Sequence, residues 1–256
     1  LDDYRKDLVR STFSKNPDAY VTSETHANGI DLELITEWLD PSPEDIGLDI
    51  ATGGGHVVKH LAPRIKTLFA TDLTKQMLNN TAVHLNDLTN VYYVVADAEE
   101  LPFLEGTFDI VTCRIAPHHF PNPETFIKEA SRVLKTGGAF IMIDNVAPEN
   151  PNGDTFMNTF EAKRDPSHVR ALPINEWKQY VHASRLQLLK SNSRKKTLTF
   201  RDWVTRTLDD KNQLKEVENY MLGADPQLKQ DFKIMEEEGN LLSFAIDEWM
   251  VLCKKI

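Results

Sequence analysis

Leu48-Asp49-Ile50-Ala51-Thr52-Gly53-Gly54-Gly55-His56 carries a short apolar run straight into three consecutive glycines. The pattern predicts a buried strand over 47–51, a tight turn, and a helix entered at His56. Glycine lets the backbone turn sharply and lets a ligand approach without Cβ interference. A loop at the carboxyl end of the first strand is also where open α/β sheets bind ligands. Two phosphate-binding patterns fail here. A dinucleotide loop of the G-x-G-x-x-G type started at Gly53 puts Val58 where its last glycine belongs, and a G-x-x-x-x-G-K loop needs a lysine where His56 stands. What remains is an acid inside the strand, Asp49, followed by small residues at Ala51, Gly53 and Gly55. That surface suits a ligand with a cationic amino-acid end rather than a diphosphate.

Outward from this loop, apolar runs at 67–72, 91–96, 108–114 and 139–144 alternate with helical patterns at 56–61, 75–85 and 123–134. The runs are rich in Val, Ile and Phe, as in parallel strands buried on both faces. In the third helix Asn122 can cap, Pro123 fits the first turn, and Phe126, Ile127, Ala130, Val133 and Leu134 share one face. Repeated β-α-β units imply an α/β, doubly wound, mostly parallel sheet. Residues 1–46 read as a helical segment with Asp31 as a cap. Residues 145–256 read as helices followed by two more strands at 186–191 and 248–254. The expected organisation is one α/β domain with its binding core at 47–144 and a helical cover near the sheet's edge.

The glycine loop resembles the first motif of class I S-adenosylmethionine (SAM)-dependent methyltransferases, with Ala51 where that family usually has its first glycine. An alanine there is a mild departure unless the position needs a positive φ. Further matches follow in order: Ala70-Thr71-Asp72-Leu73 closing the second strand, Val95-Ala96-Asp97-Ala98-Glu99-Glu100-Leu101-Pro102-Phe103 after the third, Phe108–Arg114, and Arg132-Val133-Leu134-Lys135-Thr136-Gly137-Gly138. The stretches Ala19–His26 and Asn145–Glu149 look like those of the type 11 members similar to the C-methyltransferases of ubiquinone and menaquinone biosynthesis. The resemblance implies a Rossmann-like seven-stranded sheet with an antiparallel last strand, and SAM as cofactor. It places Asp49, Ala51, Thr52, Gly53 and Gly55 around the methionine end and Asp72 on the ribose hydroxyls. Leu73 and Met77 lie by the adenine, Asp97 accepts from its amino group, and Ala98 offers a backbone amide.

Methyl transfer from a sulfonium is an in-line displacement, so alignment and exclusion of water supply much of the acceleration. A base is needed only when the acceptor must lose a proton. His118 and His119 follow the fourth strand, and an ordinary histidine titrates at about pH 6.5, suited to accepting a proton. His119 is the preferred base because Pro117 constrains its neighbour more; the alternative is that either ring merely shapes the loop. Arg114 can meet the methionine carboxylate or pair with an acid. His26, Asn145, His168 and Arg170 are acceptor-side candidates. Trp177, Trp203 and Trp249 read first as packing aromatics.

Composition narrows the partner. Of 256 residues, 29 are Lys or Arg and 39 are Asp or Glu, giving a net charge of −10. That field opposes a nucleic-acid partner, whose affinity rests on cationic neutralisation of phosphates. No apolar run approaches the ~20 residues of a membrane span. Two cysteines, Cys113 and Cys253, are too few for a disulfide framework or a zinc site, and a reducing, cytoplasmic setting is the default. The expectation is a methyltransferase acting on a small-molecule acceptor. The alternatives are a nicotinamide-dependent oxidoreductase on a similar sheet and a SAM-binding protein without turnover. Acceptor identity, the methylated atom and the oligomeric state are open at this stage.

Overall fold

Strand β1 (Ile46–Ile50) lies at the reversal of the sheet, paired in parallel with β2 (Thr67–Asp72) on one side and β4 (Phe108–Arg114) on the other. The structure, a computed structural model, describes residues 2–14 and 29–256; the predicted site residue His26 and the stretch 19–26 lie outside them. β3 (Val91–Val95) forms one edge beside β2, and β5 (Leu134–Val146) continues beyond β4, both in parallel. β8 (Asn240–Lys255) then pairs antiparallel between β5 and β6 (Leu186–Thr199). The order is β3-β2-β1-β4-β5-β8-β6, with the three-residue β7 (Met235–Glu237) folded onto β8. The sheet therefore has eight strands rather than seven. Glu238 and Gly239, both at positive φ, make the two-residue turn that joins β7 to β8.

Helices α1 (Asp2–Ser14) and α2 (Ile30–Leu39) precede β1, and α3 (His56–Leu61) and α4 (Lys75–His84) follow β1 and β2. α5 (Pro123–Val133) connects β4 to β5 and buries Phe126, Ile127, Ala130 and Val133, the face its periodicity predicts. Asn122 stands at its N-cap position, but its side chain accepts no cap bond; the amide donates instead to Glu99 and Asp2. Asp31 is not a cap either. Gly29 occupies the N-cap of α2, and the buried Asp31 carboxylate instead receives Arg114 from β4 and Arg194 from β6.

Both faces of the sheet are buried. Phe126, Phe140, Trp177, Trp249 and Val251 pack on one side, and Leu32, Ile35, Val57, Ile143 and Met250 on the other. The cover comprises α6 (Pro151–Arg164), α7 (Ile174–Ala183), α8 (Phe200–Val204), α9 (Lys211–Leu222) and α10 (Pro226–Asp231). A separate cluster of Phe156, Phe160, Trp203, Phe232 and Phe244 holds much of it together. No helix among the described residues is long and apolar enough to cross a membrane.

Candidate active site

The crevice outside the carboxyl ends of β1 and β4 deepens into a cavity lined by both strands' trailing loops, α1 and the cover. Its first wall is the glycine loop. Thr52 N donates to Thr71 O at 2.8 Å, Thr52 Oγ1 to Asp49 O at 3.1 Å, and Gly55 N to Thr52 O at 3.0 Å, which fixes the turn. Ala51 and Gly53 both have φ of +53°, so the alanine sits where a residue without Cβ is preferred. The departure at Ala51 is thus a strained one, because the backbone does require a positive φ. A Cβ added at Gly53 would meet nothing nearer than Ala51 O at 4.0 Å, leaving open space over the backbone. Gly55 is different. Its added Cβ would strike Thr81 at 2.5 Å and Leu85 at 2.7 Å, so it serves the packing of α3 against α4 and is not on the cavity wall.

Asp49 and Asp72 form the acidic floor. Asp49 is buried and receives the Thr112 hydroxyl at 2.7 Å; burial pushes its carboxyl up to about 6. Asp72 takes Gly53 N at 3.0 Å on one oxygen and Thr74 N at 2.8 Å on the other, and burial raises it as well. Leu73, Met77, Asp97 and Ala98 follow along the same wall. Asp97 receives Glu99 N at 2.9 Å and the Lys6 ammonium of α1 at 2.7 Å.

The opposite wall begins at Ile115, a β-branched residue at φ +54° that turns the chain out of β4. The next turn presents His118 and His119. His118 Nδ1 lies 2.7 Å from Asp144 Oδ1, and its backbone N–H donates to Asp144 Oδ2 at 2.9 Å. Burial alone would lower the His118 pKa, but the Asp144 carboxylate outweighs it and holds the imidazole above its ordinary value. His119 Nδ1 lies 3.0 Å from Ser167 O, and since a carbonyl can only accept, that nitrogen carries the proton. Burial and the neighbouring His118 charge push His119 down to about 3. Phe13 of α1 meets the His119 ring edge-on at 5.1 Å.

The remaining predicted residues divide. Arg114 reaches the cavity while donating to Asp31, and Asn145 contributes there with its buried Oδ1 unpartnered among the described residues. His168 stands off the cavity wall, its ring 5.7 Å from that of His118, and Nε2 bonds Asn158 at 2.9 Å. Arg170 points to the outer surface, paired with Asp154 at 2.9 Å and Glu176 at 2.7 Å. Trp177 and Trp249 are core, whereas Trp203 lines the cavity with the Arg164 guanidinium 4.8 Å above its ring. Sequence reasoning missed Asp144, although its place at the end of a central strand beside Asn145 was a usable signal. It also missed Lys6, Glu161, Arg164, Asp165, Lys196 and Arg206, which reach the cavity from α1, the cover and β6. No local motif marks them.

This wall offers a buried carboxylate at Asp49, open backbone at Gly53 and a second carboxylate at Asp72, which call for a group with a cationic end, a close backbone contact and hydroxyl donors. SAM satisfies all three. Comparisons with known proteins agree. A family model described as a methyltransferase domain matches residues 48–142. The uncharacterized methyltransferase YcgJ of Bacillus subtilis (strain 168) is 31% identical over 237 residues, spanning 91% of this chain and 94% of its own. A solved candidate methyltransferase from Bacillus halodurans C-125 is 38% identical with a TM-score of 0.86, over 89% of this chain and 99% of that one. The ubiquinone/menaquinone biosynthesis C-methyltransferase UbiE of Rickettsia typhi is 33% identical over 156 residues, spanning 56% of this chain and 63% of its own.

Proposed function

The chain belongs to the class I SAM-dependent methyltransferases, and from that premise we propose that it methylates a small-molecule acceptor with His118 as general base. When bound, SAM supplies a methyl group on a positively charged sulfur. Asp49 and the backbone of Ala51, Thr52 and Gly53 hold its amino-acid end, with Arg114 near the carboxylate. Asp72 takes the ribose, Leu73 and Met77 flank the adenine, and Asp97 with the Ala98 amide reads its edge.

The observation that carries the assignment is the His118–Asp144 pair, in which His118 lines the cavity and Asp144 backs it from the interior. Asp144 is fully buried, fixes Nδ1 as the donor nitrogen and leaves Nε2 to receive a proton. The same carboxylate stabilises the imidazolium that forms, as in other carboxylate-backed histidine bases. His119, preferred from the sequence, is the weaker base because it is buried beside His118 without a carboxylate on its ring. We assign it to the neutral wall of the chamber. Asn145, with its free carbonyl oxygen, orients the acceptor. Enclosure supports a small acceptor: α1 brings Lys6, Val9 and Phe13 over one side, and the cover brings Arg164, Trp203 and Arg206 over the other.

The test is S-adenosylhomocysteine (SAH) release from SAM with a small-molecule ultrafiltrate or with the retained macromolecules of a cell extract. Turnover is expected with the ultrafiltrate, falling by about 10²–10⁴ in His118→Ala while SAH affinity holds. Methyl transfer to the macromolecular fraction alone would overturn the small-acceptor assignment. A His118→Ala enzyme at full rate would remove the base.

A further inference from the structure

The charges on the cavity wall are segregated. The cofactor end carries Asp49, Asp72, Asp97 and Glu99 against Lys6 and Arg114. The acceptor end carries Arg164, Lys196 and Arg206 against Glu161 and Asp165. The first end is negative, as a sulfonium requires; the second is where the cover and β6 bring cationic side chains to the wall. Resting on the methyltransferase assignment, we propose that the acceptor is a small organic carboxylate whose anionic group is received by Lys196 and Arg164.

Two donors on that wall lack full partners. Arg164 turns one terminal nitrogen to Glu161 at 3.1 Å and to Asp165 at 3.8 Å and another to the Trp203 carbonyl at 3.5 Å, but its buried Nε has no partner among the described residues. Lys196 has three N–H donors, and its carboxylate contact is Glu248 at 3.4 Å. That carboxylate is already taken more closely by Arg194 Nε at 2.6 Å. Burial lowers the Lys196 pKa against the pull of Glu248 and Asp31.

Lys196 also ends a buried ionic chain. Arg114 and Arg194 meet at Asp31, Arg194 continues to Glu248, and Glu248 reaches Lys196. Among the described residues three cations thus share two carboxylates in this chain, and Lys196 is the end of it that lines the acceptor side of the cavity. Arg164 is held in place over Trp203, which with Leu198 offers an apolar surface for the body of the acceptor. A carboxylate on an apolar skeleton gives the Arg164 Nε–H and the Lys196 ammonium charge-assisted bonds, whereas a neutral amide offers only the weaker uncharged acceptor.

The experiment uses the full chain saturated with SAH, after calorimetry has established that SAH binds. Matched pairs of aromatic and branched aliphatic carboxylates and their primary amides are then screened by ligand-observed NMR. The acids are expected to bind about tenfold more tightly than the amides, and Lys196→Met to erase that preference while changing SAH affinity by less than about threefold. Arg164→Gln should do the same. Because Arg164 is packed into the cover and its variant can fail to fold, Lys196, whose side chain is 22% exposed against 11% for Arg164, carries the test alone if needed. Equal binding of acids and amides, no binding of any acid, or acid binding that survives Lys196→Met overturns the proposal. A loss of SAH affinity beyond about tenfold in Lys196→Met would reassign the lysine to the cofactor. Failure of SAH itself to bind would strike the methyltransferase site instead.

Discussion

Ala51 shows how one methyl group is felt at a functional turn. Its φ of +53° puts Cβ close to the following carbonyl, at a cost of about 1 kcal/mol that glycine would not incur. Ala51→Gly is expected to raise unfolding free energy by roughly that amount, offset in part by the extra freedom of glycine when unfolded. Chemical denaturation measures it, with SAH affinity as the control. Asp49 has the more direct consequence for binding. Its carboxyl titrates at about 6, and only the ionised form attracts a cationic amino group. SAH affinity should therefore be flat above pH 6 and weaken by about tenfold per pH unit below it. Asp49→Asn should bind weakly at every pH, without that inflection. At His118 the raised pKa places the rising limb of turnover above the usual histidine range, and Asp144→Asn is expected to shift it downward.

At the level of elements, what the sequence revealed depended on whether the signal was local. The turn from β1 into α3 was legible because Asp49 and the glycines are neighbours in the chain. β2 and β4 were legible because they are continuous apolar runs buried on both faces. β6 was read only as far as Ser191, since Asn192 to Lys196 are polar and form the outer part of an edge strand; their pairing with β8 extends it to Thr199. The cavity's far wall was illegible for a stronger reason. Glu161 and Arg164 lie at the end of α6, and Trp203 in α8, and only the packing of the cover brings them to His118. α1 is the loosest of these elements. It buries no residue fully, and Lys6 ties it to Asp97 and Glu99 at 2.7 Å each. Lys6→Ala should speed amide hydrogen exchange in α1 by about tenfold or more while leaving α5 protected. Unchanged exchange would show that Phe13 and its neighbours anchor the helix instead.

For the whole molecule, buried histidines set the acid limit. His119 is held at about 3 and His168 at about 2, both by burial, against about 6.5 in the unfolded chain. Below pH 6.5 the unfolded chain gains two protons that the folded one refuses, so stability falls with acidification. Asp49 and Asp72 work the other way, since burial sets their folded pKa values above the unfolded ones, but between pH 6.5 and 5 the two neutral rings outweigh them. Melting temperature is therefore expected to decline from pH 6.5 to pH 5, and His168→Gln should flatten the decline. A rise over that interval would refute the assignment of neutral buried rings.

β8 has a further implication. One unbroken strand gives Phe244 and Ile246 to the cover's interior and Trp249, Val251 and Cys253 to the main core, while bonding to β6 along most of its length and to β5 from Asp247 to Lys254. A roof riveted to the floor by such a beam cannot swing open without tearing the sheet beneath it. The lighter flank of the chamber is the first helix, which buries no side chain fully and is joined to its surroundings through Asp2, Lys6 and Phe13. It is the flank past which reactants and products are expected to travel.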